Sequence, residues 1–200
     1  VEKKPFEKTG KVVGIDLGVE KLITTSDCVV IENPKFFDKV ERRIRVLQRS
    51  LSRKKRGSRN YEKVREKLAK LHEHVKNLMS DYIHKVTSWL VEQYDEVYVE
   101  DLDVKEMVES SESKTLRKHI LHSSFSKFMS YLSYKAERAG RRVVKVNPAY
   151  TSKRCAKCGY VKKDLTLSDR VFVCPKCGWT ADRDYNASLN ILRAGSGLPL

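Results

Sequence analysis

Residues 14–18 read GIDLG, and they follow the basic, β-branched run KVV. The surrounding apolar residues Val13, Ile15 and Leu17 predict a strand that is covered on both faces. An ionised carboxylate buried in such a strand costs several kcal/mol unless a partner compensates its charge. Asp16 is therefore either a turn residue at the end of the strand or a ligand of a metal ion.

The rest of the chain continues in an order that limits the fold. Segments typical of strands, the first three forming an antiparallel meander, occupy residues 11–16, 21–26, 28–33, 96–102 and 141–148. After the third strand, apolar residues recur every three or four positions and predict a hairpin of two helices over about residues 36–93, joined at Gly57. A further helix is predicted over residues 123–140, and the Ser- and Glu-rich residues 105–115 are expected to form a mobile loop.

Two Cys-x-x-Cys pairs follow the fifth strand, CAKCG at residues 155–159 and CPKCG at residues 174–178, with fifteen residues between the inner cysteines. This spacing is typical of a zinc site in which four thiolates close a tetrahedron and each following glycine allows a tight turn. Disulfides or free thiols are the alternative, but disulfides suit secreted mini-proteins, and residues 1–8 lack the apolar core of a signal peptide. The predicted ligands of a structural Zn²⁺ are Cys155, Cys158, Cys174 and Cys177. The fifth cysteine, Cys28, is expected to be buried in the third strand.

The chain is strongly basic, since 41 Lys and Arg residues against 26 Asp and Glu give a formal net charge of +15. A field of that sign makes a polyanion the first partner to consider. The cations concentrate on the first hairpin helix and its tip, where balancing acids are nearly absent, and this favours contact with a phosphate backbone over a solvated helix face. The residues predicted to bind nucleic acid are Arg42, Arg45, Arg49, Arg53, Lys54, Lys55, Arg56, Arg59, Lys153 and Arg154. Tyr150 is equally suited to stacking on a base and to packing against the cysteine segment.

Two more acidic segments accompany Asp16. VYVEDLD ends the fourth strand with Glu100, and ADRDYNAS opens the last predicted helix with Asp182 and Asp184. Singly, each acid has an ordinary alternative as a turn residue, a solvated strand end or a helix N-cap. Three carboxylates from the first strand, the fourth strand and the last helix converge only if the first and fourth strands are neighbours, as in the ribonuclease H-like fold. Carboxylates gathered in this way suit two Mg²⁺ ions about 4 Å apart, which serve the attacking and leaving oxygens of a phosphodiester.

The two acids of the DRD segment are expected to differ in role. Asp182 and Asp184 are two residues apart and cannot share one face of a helix. Asp184 begins the apolar-periodic stretch, which turns toward the sheet that carries Asp16. Asp182 is then expected either to cap the helix or to pair with Arg183 or Lys176.

In motif and in order, the chain resembles the TnpB family, the OrfB proteins of bacterial and archaeal insertion sequences, to which the type V CRISPR effector nucleases are similar. The resemblance rests on GIDLG, VYVEDL, VNPAYTSKRCAKCG, RVFVCPKCG and DRDYNAS, and it covers essentially all 200 residues. It implies an RNA-guided DNA endonuclease whose partners are DNA and a guide RNA. Carried over residue by residue, the ligands of the catalytic Mg²⁺ or Mn²⁺ would be Asp16, Glu100 and Asp184. Ser188 stands where the family commonly carries Ala.

The resemblance also implies an architecture: an α/β, ribonuclease H-like (RuvC-like) mixed sheet with an inserted helical hairpin and a small four-cysteine zinc ribbon. Residues 1–150 would form the nuclease core, residues 151–180 the ribbon, and residues 181–200 the last motif and the helix that completes the core. The family's amino-terminal recognition lobe and wedge-like β-domain have no counterpart in this sequence, so we expect the nuclease half of a longer protein.

Three functions remain open on the sequence: a metal-dependent DNA nuclease domain, a non-catalytic nucleic-acid-binding fragment, and a strand-joining transposase. The presence of all three acids favours the nuclease. No window of the sequence approaches eighteen apolar residues, so we expect no membrane partner and a cytoplasmic location in a bacterium or archaeon.

Overall fold

The computed structural model describes residues 6–111, 113–149, 151–166 and 169–197. The chain divides into two compact units, one formed by Pro34–Lys85 and the other by Val1–Asn33 together with Val86–Leu200. None of the helices in the described ranges combines the length and the apolar character that a membrane span requires.

A five-stranded mixed sheet forms the centre of the larger unit, with the strand order β3-β2-β1-β4-β5. Its strands are β1 (Val12–Leu17), β2 (Lys21–Thr25), β3 (Val30–Glu32), β4 (Glu96–Glu100) and β5 (Arg142–Val146). The first three form the predicted antiparallel meander, whereas β1 runs parallel to β4 and β4 parallel to β5. Val12 pairs with Glu96 and Ile15 with Val99, which confirms that the first and fourth strands are neighbours. The order and directions of the strands confirm the predicted mixed sheet.

The predicted helical hairpin is confirmed as α1 (Phe36–Ser52) and α2 (Arg59–Gln93). The unit Pro34–Lys85 contains all of α1 and most of α2. Aromatic contacts join the two helices within that unit, since the ring centroids of Phe36 and Tyr82 lie 6.1 Å apart. In the larger unit, α5 (Phe125–Ala139) corresponds to the helix predicted over residues 123–140.

The mobile loop expected over residues 105–115 is wrong, because α3 (Val104–Ser110) and α4 (Lys114–Ser123) occupy much of it. Asp103 caps α3 by accepting the backbone N–H groups of Lys105 and Glu106 at 2.9 and 3.0 Å. Ser113 caps α4 by accepting the N–H of Leu116 at 3.3 Å. Each cap is worth about 1 kcal/mol, enough to favour a short helix in a polar segment whose composition suggests a loop.

The expectation for Cys28 is also wrong, because this residue is exposed in the turn between β2 and β3. Its φ of 68° lies in the left-handed region, and its N–H donates to the carbonyl of Thr25 at 3.1 Å. The two antiparallel strands need this tight turn, which shortens the third strand to three residues.

The last helix, α6 (Arg183–Ser196), lies unusually close to β1. A Cβ atom at Gly14 would come within 2.3 Å of the carbonyl oxygen of Ser188 and 2.5 Å of the backbone N of Leu192. Only glycine allows this approach, which buries Ile191 completely. Ser188 is also buried, and its hydroxyl donates to the carbonyl of Tyr185 at 2.8 Å. The serine that stands where the family commonly carries Ala therefore has a hydrogen-bond partner for its hydroxyl.

Candidate active site and metal centre

The three carboxylates predicted from the sequence line one cavity of about 680 Å³. Asp16 lies on β1, Glu100 ends the neighbouring strand β4, and Asp184 lies in the first turn of α6. The parallel pairing of β1 with β4 and the close approach of α6 at Gly14 account for this convergence. The structure therefore places residues up to 168 positions apart in the sequence, from 16 to 184, on the walls of one cavity. Among the described residues, however, the four cysteines are the group whose ligand atoms lie close enough together to hold a metal ion.

The other acids near Glu100 and Asp184 have different contacts. Asp101 forms an ion pair with Lys145 at 2.7 Å, and Asp103 caps α3. Asp182 caps α6, which confirms the first of its two expected roles, by accepting the N–H groups of Asp184 and Tyr185 at 2.9 and 3.2 Å. These contacts explain why the neighbouring acids serve local structure.

Two carboxyl groups of the cavity have raised pKa values. Burial raises the pKa of Asp16 well above its usual range, and the nearby carboxylates of Glu100 and Asp184 raise it further. Burial also raises the pKa of Glu100, against the lowering effect of a hydrogen bond from the hydroxyl of Thr151. A divalent cation bound by these acids would relieve this repulsion because it would supply the opposite charge. The all-oxygen donor set fits the hard cations Mg²⁺ and Mn²⁺.

Two basic side chains balance the acids of α6. Lys21 Nζ lies 2.7 Å from Asp182 Oδ2 and 3.5 Å from Asp184 Oδ2. Asp182 therefore pairs with Lys21 and not with Arg183 or Lys176, the partners expected from the sequence. Arg183 Nη2 instead lies 3.2 Å from Asp184 Oδ1. Sequence analysis did not find Lys21 because it lies 161 residues from Asp182, and only the packing of α6 against the sheet unites them.

The four predicted cysteines form a cluster that could hold a metal ion, with all four sulfur atoms within 4.8 Å of one another. Cys155 Sγ lies 3.7 Å from Cys177 Sγ, and Cys158 Sγ lies 3.6 Å from Cys174 Sγ. All four are free cysteines, at separations far beyond the roughly 2.05 Å of a disulfide. A tetrahedron with Zn–S bonds of about 2.3 Å has edges of about 3.8 Å, so the spacing fits Zn²⁺.

The two halves of the cysteine cluster repeat one backbone geometry. The N–H of Gly159 donates to the carbonyl of Cys155 at 2.9 Å, and that of Gly178 to the carbonyl of Cys174 at 3.0 Å. Both glycines have positive φ, 74° and 70°, as the tight turns require. The hairpin β6 (Val171–Val173) and β7 (Thr180–Asp182) completes this segment. Its buried core is small, consisting of Cys155, Leu165, Phe172 and Cys174.

Two asparagines of α6, which sequence analysis did not identify as functional, contact the start of the cysteine segment. Asn186 Oδ1 accepts the N–H of Ala156 at 2.9 Å, and its Nδ2 donates to the carbonyl of Arg154 at 2.8 Å. Asn190 Nδ2 donates to the carbonyls of Arg154 and Thr151 at 2.7 and 2.9 Å. Both side chains are buried, and the signal in the sequence was a pair of amides four residues apart, each next to an apolar residue of the helix.

Most basic residues predicted to bind nucleic acid are exposed. In the hairpin unit these are Arg42, Arg45, Arg49, Arg53, Lys55, Arg56 and Arg59, whereas Lys54 is partly buried. In the larger unit Lys153 lines the cavity, and Arg154 is partly buried beside the cysteine segment. Tyr150 lies outside the described residues.

The fold and the two clusters define a class: a ribonuclease H-like α/β protein that carries a four-cysteine, ribbon-like segment. The chain belongs to the OrfB_IS605 family, whose model, described as "Probable transposase", matches residues 1–111. A second model, described as "Cas12f1-like, TNB domain", matches residues 125–191. These matches confirm the resemblance to TnpB.

Similar proteins are named as nucleases. "Putative RNA-guided DNA endonuclease InsQ" of Escherichia coli strain K12 is 37% identical over 96% of this chain and 50% of its own length. "CRISPR-associated endodeoxyribonuclease Cas12f1" of Sulfoacidibacillus thermotolerans is 29% identical over 90% of this chain and 45% of its own length. The chain therefore spans about half the length of these curated relatives.

Solved structures show the same fold. The structure titled "Cryo-EM structure of CRISPR-Cas12f Ternary Complex" superimposes with a TM-score of 0.71 and 22% identity, covering 96% of this chain and 40% of that chain. The one titled "Cryo-EM structure of the Cas12f1-sgRNA-target DNA complex" gives a TM-score of 0.67 and 21% identity, covering 94% of this chain and 51% of that chain. At this level of identity the likeness is one of fold.

Proposed function

We propose that the chain is the catalytic part of an RNA-guided DNA endonuclease, a divalent-metal-dependent domain that hydrolyses phosphodiester bonds. The observation that carries this proposal is the convergence of Asp16, Glu100 and Asp184 on one cavity from three elements. The names of the relatives support guided cutting of DNA. Because the chain spans about half of their length, guide RNA and target DNA are proposed as partners of the full-length protein.

The proposed chemistry uses a two-metal site. Asp16, Glu100 and Asp184 would hold Mg²⁺ or Mn²⁺ through oxygen ligands. When bound, such ions activate the attacking water and stabilise the leaving oxygen of the phosphodiester. Lys21 and Arg183 form ion pairs with Asp184 at 3.5 and 3.2 Å and hold its carboxylate in place at the cavity.

The cysteine segment is proposed to be a structural zinc ribbon. Among the described residues, its buried cluster contains two residues other than cysteines, Leu165 and Phe172, so a metal ion would supply most of its folding free energy. We retain the organisation inferred from the sequence, with residues 1–150 as the nuclease core, 151–180 as the ribbon and 181–200 completing the core.

The description of the matching family supports a strand-joining transposase as the second candidate. Such an enzyme would use similar acids and metal ions, but its products would include strands longer than the substrate. A cleavage assay on labelled single-stranded DNA in Mn²⁺ separates the two: shorter products alone support the nuclease, and joined products support the transposase.

The metal site can be tested without cleavage through Asp16→Asn. The pKa of Asp16 is raised in the folded state, so ionisation above the unfolded pKa of about 3.9 destabilises the fold at neutral pH. Without metal, the variant is expected to melt at a higher temperature than the parent. Mn²⁺ at about 100 times its Kd should stabilise the parent by about 2.7 kcal/mol and the variant much less.

Asp101→Asn is the matched control, since Asp101 is 59% exposed and pairs with Lys145 at the surface. This variant should keep the stabilisation by Mn²⁺. A full response to Mn²⁺ in Asp16→Asn would contradict the proposed metal site.

The basic tip of the hairpin can be tested through the salt dependence of DNA binding. Each lost phosphate contact reduces the slope of log K against log salt by about 0.9 on duplex DNA, so replacing Lys54, Lys55 and Arg56 by Gln should reduce it by up to about 2.7. Lys85→Gln is the control, because Lys85 pairs with Asp81 at 2.7 Å on the same hairpin. An unchanged slope in the triple variant, measured by fluorescence anisotropy, would show that the tip does not contact phosphates.

A further inference from the structure

Thr151 connects the acidic cavity to the cysteine cluster. It is 7% exposed, lines the cavity and precedes Cys155 by four residues. Its hydroxyl donates to Glu100 Oε1, with the carbonyl of Pro148 as a second acceptor at 3.1 Å. The carboxylate is the stronger acceptor because it is charged, so the single hydroxyl proton favours Glu100.

The backbone of Thr151 is held in turn by α6. Asn190 donates to its carbonyl at 2.9 Å, and Asn186 and Asn190 together hold the next residues of the chain at Arg154 and Ala156. We call these two side chains with their backbone partners the asparagine clasp. Asn186 is 0% and Asn190 4% exposed, so water competes little for these hydrogen bonds.

We propose that Thr151 is a positioning residue for the carboxylate of Glu100, and that the asparagine clasp keeps Thr151 in place. The inference rests on the proposed function for the role of Glu100 as a metal ligand. A carboxylate at the end of a strand has several accessible rotamers, and one fixed hydrogen bond on Oε1 selects among them while a second oxygen remains for a metal ion. Groups that orient metal ligands in this way commonly set metal affinity.

The clasp makes the two clusters depend on each other. The helix α6 supplies Asp184 to the cavity and, two and six residues later, Asn186 and Asn190 to the cysteine segment. Thr151 returns from that segment to Glu100. The acidic site and the cysteine cluster are therefore linked by one continuous set of hydrogen bonds through buried side chains.

The test compares Thr151→Val, which keeps the shape and removes the hydroxyl, with Thr151→Ser, which keeps the hydroxyl. Affinity for Mn²⁺ is measured by isothermal titration calorimetry, and zinc content by elemental analysis. Thr151→Val should weaken Mn²⁺ binding by about 10- to 100-fold at unchanged zinc content, whereas Thr151→Ser should bind within about threefold of the parent. Equal affinities for the parent and Thr151→Val, or no recovery in Thr151→Ser, would overturn the proposal.

Two further variants keep the test decisive. Glu100→Gln tests the proposed metal site itself, which is refuted if this variant binds Mn²⁺ as tightly as the parent. If Glu100→Gln binds Mn²⁺ more weakly but Thr151→Val binds it normally, only the positioning role of Thr151 is refuted. Adding Thr151→Val to Glu100→Gln should cause no further loss of Mn²⁺ affinity.

If Thr151→Val does not fold, Asn190→Ala takes its place, because it leaves the hydroxyl of Thr151 intact. This variant should still weaken Mn²⁺ binding several-fold, and normal Mn²⁺ affinity in the folded variant would refute the role of the asparagine clasp.

Discussion

Replacing Asp184 by Ala is expected to remove metal-dependent cleavage while leaving nucleic-acid binding nearly unchanged. Asp184 is 15% exposed, lines the cavity with Asp16 and Glu100, and lies in the first turn of α6. In metal-dependent phosphodiester hydrolysis the ions supply several kcal/mol of transition-state stabilisation. Because about 1.4 kcal/mol corresponds to tenfold in rate, removing one of the proposed ligands should lower cleavage by at least about 100-fold. Binding is expected to depend mainly on the basic residues outside the cavity, so it should persist at matched salt concentration.

Asp182→Ala is the control for this prediction, because Asp182 is two residues away and 44% exposed. It removes the N-cap of α6 and a contact of Lys21, and it should cost about 1 kcal/mol of stability with cleavage retained. Cleavage rates and thermal melting of both variants are measured beside the parent in Mn²⁺. Loss of cleavage in Asp182→Ala with activity in Asp184→Ala would place the metal ligand two residues earlier.

The fold was accessible to sequence analysis because its determinants are local. Five short β-branched segments, a hairpin with apolar period and two cysteine pairs each specify their own element. The hypothesis that Asp16 and Glu100 share a site predicts that β1 and β4 are neighbours, and the structure confirms this and shows the pair to be parallel. The acids of the cavity were accessible for the same reason, since each lies at or next to an end of a recognisable element.

What sequence analysis missed depends on backbone geometry or on distant contacts. The helices α3 and α4 lie in a polar segment, where caps outweigh composition. Cys28 has the apolar neighbours of a strand residue but lies in the turn. Lys21 contacts Asp182, 161 residues away, and Thr151 contacts Glu100, 51 residues away. These contacts form only once the sheet and α6 are packed together.

The second large effect is expected from Cys174→Ser, which opens the cysteine cluster. Structural zinc sites in small domains contribute about 10 kcal/mol of binding free energy, and the buried core of this segment is too small to replace it. The variant should lose its zinc, expected at about one ion per chain in the parent, and residues 151–180 should unfold locally. Elemental analysis and hydrogen exchange of the backbone amides measure the two effects.

The same substitution shows how far the effect of zinc extends. Cys28→Ser is the matched control, because Cys28 is exposed in a turn of the sheet. This variant should leave the zinc content and the hydrogen exchange of the backbone amides unchanged. In Cys174→Ser the loss of order should reach Thr151, which holds Glu100, and should stop at the sheet, whose strands pair independently of the ribbon. Protected amides in β1 and β4 beside exchanging amides around Cys155 would fit this boundary. A metal-free variant whose ribbon amides stay protected would instead mean that packing around Phe172 alone holds the segment, and zinc would lose its structural role.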